Sequence, residues 1–100
     1  MLIVREVFTA KPGQASRLAK LCKKMMSAEV GIRVMTDLVG QYNTVVVETQ
    51  VADLAEWEKQ MELHRSGQAI QDIDAETKEE MSHYTEMFLT GHREIFRIVE

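Results

Sequence analysis

One hundred residues, 45% of them hydrophobic and 28% charged, are enough for one core but not two, and the whole chain reads as a single globular domain. No apolar run approaches the ~20 residues that a membrane span needs, and Arg5 and Glu6 interrupt the opening "MLIVREVF" too early for a signal-peptide core. The one cysteine, Cys22, rules out an internal disulfide, so a reducing, cytoplasmic setting is expected. The net charge of −4 is unevenly spread: residues 1–52 hold seven Lys/Arg against four Asp/Glu, and residues 53–86 hold three against ten. Basic residues this few, with no aromatics between them, argue against nucleic acid as a partner.

In chain order, "MLIVREVFTA" alternates as a strand, with Leu2, Val4, Glu6 and Phe8 on one face and Ile3, Arg5, Val7 and Thr9 on the other. Both faces are largely apolar, which is the pattern of a sheet covered on both sides. "KPG" breaks the strand. Residues 14–29 then read as an amphipathic helix, with Ala15, Leu18, Leu21, Cys22, Met25 and Ala28 on one side, and Gly31 as its stop. A hairpin follows, with strands near 32–39 and 42–50 around Gly40-Gln41. The β-branched "TVVVET" puts Val45, Val47 and Val51 on one face and Val46 on the other.

Asp53 is the expected N-cap of a second helix carrying Leu54, Trp57, Met61 and His64 on one stripe. The stripe loses register near "SGQ", which places a break at Gly67. Ile70, Ile73, Thr77, Met81, Tyr84 and Phe88 then share one face of a helical stretch near 69–90, with Asp74 as an internal start and Gly91 as its end. "REIFRIV" supplies the last strand.

The order β-α-β-β-α-α-β is that of a ferredoxin-like α+β sandwich: a four-stranded antiparallel sheet with its helices on one face. The strands are apolar on both faces, so the other face also needs a cover. In a chain this short a second copy is the expected one, two sheets packing in a two-fold dimer.

The "KPG" opening of the first helix, the hairpin "VGQYNTVVVE" and the helix "VADLAEWEKQM", with Gly40, Asn43, Val45–Val47 and Trp57, resemble the dimeric α/β-barrel superfamily, in particular its NIPSNAP-like members. The resemblance implies a homodimer with an eight-stranded barrel between subunits. It implies no single activity, since the superfamily includes cofactor-independent monooxygenases, haem-binding and haem-degrading proteins and members without an assigned role. The haem-degrading members use an Asn on the first strand; "LIVREVFT" has none.

No phosphate loop, His-Glu-x-x-His, cysteine pair or Gly-x-Ser-x-Gly turn is present, so the sequence calls for no metal and no cofactor. Of the histidines, His83 lies among charged residues and His92 at an expected turn. His64, at the end of an apolar stripe, has two readings. In one it is a last-turn histidine favoured by the helix dipole. In the other it is the polar group of an apolar pocket, with Tyr84 as its catalytic companion and Trp57, Met61 and Phe88 as the ligand-binding walls. Arg5 and Arg97 lie on neighbouring strands. They are either cross-strand ion pairs with Glu48, Glu94 or Glu6, or a fork for an acidic ligand. The expected partners are a second copy of the chain and a small apolar or aromatic molecule, with no nucleic acid and no membrane.

Overall fold

The computed structural model describes residues 1–26, 31–66 and 74–100. Four strands, β1 (Leu2–Ala10), β2 (Arg33–Thr36), β3 (Thr44–Val51) and β4 (Phe88–Arg97), form one antiparallel sheet in the order β2-β3-β1-β4. The helices α1 (Ala15–Met25), α2 (Leu54–Arg65) and α3 (Ala75–Met81) accompany it. This is the ferredoxin-like α+β arrangement that the order of elements predicts.

The core forms where α1 meets the sheet. Leu18, Leu21 and Cys22 pack against Ala10, Val45, Val47 and Met87, with Phe8, Val34, Tyr84 and Phe88 around them. The even-numbered residues of β1 therefore face the helices together with Val45, Val47 and Val51, as the alternation requires. Burial pushes the Cys22 thiol up to about 11, so it is a core residue and not a nucleophile.

Element boundaries depart from the sequence pattern in three places. The hairpin strands are shorter than expected, and the turn between them spans 37–43 and not Gly40-Gln41 alone. Asp37 closes that loop, its carboxylate accepting from the Thr44 N–H at 2.8 Å, and Asn43 takes a left-handed φ of 61°. Helix α1 ends at Met25 with Met26 as its cap. Gly31 lies just before β2 with a φ of 80°.

The third departure is the largest. The stretch expected as a helix to residue 90 ends at Met81, makes a short 3-10 turn at Tyr84–Glu86, and is already strand at Phe88. The spacing of Met81, Tyr84 and Phe88 imitates a helix because all three residues pack on the same core from three different local structures. Gly91 is consequently no helix stop. It lies inside β4 opposite Phe8, whose ring a Cβ at this position would meet at 3.0 Å. His92 likewise sits in β4 and not at a turn. Asp53 and Asp74 do cap α2 and α3, accepting from the backbone N–H groups of Glu56 and Thr77. The Gly67 break, Ile70 and Ile73 lie outside the described residues, as does Ala28.

Candidate functional site

The alternation of β1 puts one charged residue, Glu6, on the helix-facing side between Val4 and Phe8. Its cross-strand neighbour on β4 is Arg93, which donates from Nε to the Glu6 carboxylate at 2.5 Å. The Arg93 guanidinium also lies 5.2 Å from the centre of the Trp57 ring, a cation–π contact that ties α2 to the sheet. Glu6, Arg93 and Trp57 thus form one chain of contacts across two strands and a helix.

Beside this chain lies a cavity of about 30 Å³, walled by Val4, Val47 and Met26 on the apolar side and by Glu6, Thr49, Gln60 and His64 on the polar side, with Trp57 and Met61 closing it. That volume holds about one water molecule. The Trp57 indole N–H is buried with no hydrogen-bonding partner among the described residues. A buried donor of this kind needs an acceptor to avoid a cost of about 1–3 kcal/mol.

Of the expected site residues, Trp57, Met61 and His64 come together here. Tyr84 and Phe88 do not join them, because the early start of β4 places both rings against Phe8, with ring centres 6.5 and 4.9 Å from it. They belong to the α1 core, and the single five-residue pocket expected from the helical stripe is replaced by two separate clusters. Arg5 and Arg97 are also separated, since they fall on opposite faces of the sheet: Arg5 pairs with Glu94 in register, whereas Arg97 lies opposite Leu2 on the helix side. Arg97 lines an open groove at the end of the sheet with Met1, Leu2, Leu54 and Ile98. Arg5 makes the expected cross-strand ion pairs, 3.7 Å to Glu48 and 3.9 Å to Glu94. His83 lies between Glu79 and Glu86.

Sequence reasoning missed Glu6 and Arg93 as a pair. The signal was available in part, as a lone carboxylate in the middle of an apolar strand face, but its partner emerges only once the β1–β4 register is known.

No family model matches the sequence, and no curated protein matches it. Solved structures do match the fold. A NIPSNAP domain protein from Burkholderia xenovorans superposes with a TM-score of 0.72 at 13% identity, covering 99% of this chain and 95% of that one. A NIPSNAP family protein from Agrobacterium tumefaciens gives 0.71 at 10% identity, over 99% and 86% of the two chains. A protein provisionally assigned as an antibiotic biosynthesis monooxygenase, from Deinococcus radiodurans, gives 0.64 at 18% identity, over 100% and 94%. The chain has the ferredoxin-like α+β fold that NIPSNAP domain proteins share. At these identities the likeness concerns the fold and not the chemistry. No helix among the described residues is long and apolar enough to cross a membrane.

Proposed function

We propose that the protein is a homodimer that binds a small apolar or aromatic molecule in the cleft between α2 and the sheet. The observation that carries this reading is the buried indole N–H of Trp57, without a partner among the described residues, beside a cavity with both apolar and polar walls. A ligand oxygen would accept from it, and the apolar walls would take the rest of the molecule. The cavity admits only one water as it stands, so binding requires α2 to shift outward. No residue of α2 is fully buried, which makes that displacement inexpensive. The homodimer is supported by the second face of the sheet, where Ile3, Val7, Met35, Val46 and Phe96 leave apolar surface that no helix among the described residues covers.

Cofactor-independent oxygenation is the second reading, favoured by His64 and Glu6 sharing one cavity, where either supplies a base, and by the fold shared with the Deinococcus radiodurans protein.

Trp57 is the only tryptophan, so its emission reports on the cleft alone. Titration with 1-naphthol, whose oxygen can accept from the indole, is expected to shift and saturate that emission. Trp57→Phe, followed by calorimetry, should weaken binding about tenfold, the loss of one hydrogen bond. An unchanged affinity in the variant would remove Trp57 from the site, and no saturable response in the wild type would remove the cleft.

A further inference from the structure

The face of the sheet opposite the described helices carries an ordered row of charge. Arg33 on β2 lies opposite Glu48 on β3, Glu48 opposite Arg5 on β1, and Arg5 opposite Glu94 on β4. Read across the four strands the row alternates plus, minus, plus, minus. Neighbours along it are ion-paired: Arg33 with Glu48, and Arg5 with both Glu48 and Glu94. The row beside it is mainly apolar, Met35, Val46 and Val7 ending in His92.

We propose that this charge ladder sets the geometry of the homodimer, by fitting a second copy of itself only when the two-fold axis runs parallel to the strands, midway between β3 and β1. The inference rests on the homodimer proposed above. That axis carries β2 onto the partner's β4 and β3 onto the partner's β1. Arg33 then faces a Glu94 and Glu48 faces an Arg5, so every charge meets its opposite. An axis perpendicular to the strands lays each residue over its own copy, Arg5 on Arg5 and Glu48 on Glu48, which like-charge repulsion disfavours. A packing shifted along the strands buries the charges against the apolar row without partners, which costs more still.

Two further observations agree with the strand-parallel axis. Arg5 is held by ion pairs too long to be hydrogen bonds while its side chain stays 35% exposed, so the guanidinium has donors to spare for a facing carboxylate. At one end of the sheet, the β2–β3 loop exposes Leu38 and Val39 almost completely, and the start of β4 exposes Leu89 to 61%. The same axis brings that loop over the same end of the partner's β1 and β4. The ladder contributes mainly specificity, as buried ionic groups do when they fix a register.

The test exchanges subunits between the wild type and a variant with the ladder partly inverted. Arg5→Glu together with Glu48→Arg gives a row that still complements itself about the strand-parallel axis but opposes the wild-type row at both central positions. Sedimentation velocity first establishes the assembly state; a wild-type monomer would overturn the homodimer and the ladder with it. Labelled ¹⁵N wild type is then mixed with unlabelled variant, partly unfolded, refolded and counted by native mass spectrometry. Labelled and unlabelled wild type serve as the control, giving the statistical half of mixed dimers. The expected result is a fall in mixed dimers to about a tenth. Mixed dimers at half or more would overturn the ladder's role while leaving the homodimer intact, since a perpendicular axis favours the mixed pair. Should the central exchange fail to fold, Arg33→Glu with Glu94→Arg applies the same logic at the more exposed outer positions.

Discussion

The two long helices lie on the same sheet and differ in what they bury. Helix α1 places Leu18, Leu21 and Cys22 in full contact with the core, while α2 has no fully buried residue and rests on the sheet through Trp57, Met61 and His64, all half-exposed. The cause is in the sequences. "ASRLAKLCKKM" keeps its cations on the side opposite its apolar face, whereas "LAEWEKQMELHR" mixes the two, so that Leu54 and Leu63 face solvent. The difference divides the helical layer into a half that carries the core and a half that buries little against the sheet. The proposed cleft lies in the second half, as suits an element that must move without disturbing the core.

The comparison can be broken or sharpened by substitution. The largest effect is expected at Leu18→Ala, which should cost about 3–5 kcal/mol by urea denaturation, the loss of a completely buried leucine in a core that cannot collapse around the gap. A cost below about 1 kcal/mol would place the core elsewhere.

The next effect is a pH dependence. The Cys22 thiol is raised in the folded protein from 9.0 to about 11, so the folded state holds its proton more tightly than the unfolded one. Its contribution is therefore fully present below pH 9 and is lost as the pH rises toward 11, by roughly 2 kcal/mol. Comparing urea denaturation of wild type and Cys22→Ala at pH 8 and at pH 10.5 isolates it. The wild type should lose stability relative to the variant at the higher pH, and an equal response in both would show that the thiol is not desolvated. The smallest effect is expected on α2: Leu63→Ala should change stability by less than about 0.5 kcal/mol in the same assay. A loss near that of Leu18→Ala would erase the distinction between the helices.

How much of this was legible in the sequence follows the same division. Strand β1, the valines of β3, the amphipathic α1 and the caps at Asp53 and Asp74 are written in local patterns and could be read directly. Residues 81–91 could not, because Met81, Tyr84 and Phe88 keep a helical spacing while the chain passes through a turn into a strand. The pairing of Phe8 with Gly91, which seats β4, is a contact between residues 83 positions apart. For the same reason the helical spacing groups Tyr84 and Phe88 with His64, and strand order without a register leaves the face of Arg97 open. His64, Trp57 and Met61 were found because they share a single helix. Glu6 and Arg93 were not found as a pair, since a cross-strand pair exists only after the register does.

Arg5 and Glu6 are consecutive residues on opposite faces of the central strand, one in the charge ladder and the other in the cleft. Because side chains alternate along a strand, inserting or deleting a single residue in the first half of β1 would exchange them, turning a cation into the cleft and a carboxylate onto the open face. Chain-length changes in the 37–43 loop carry no such penalty. The first strand is therefore the part of this protein whose length is fixed twice over, once from each side of the sheet.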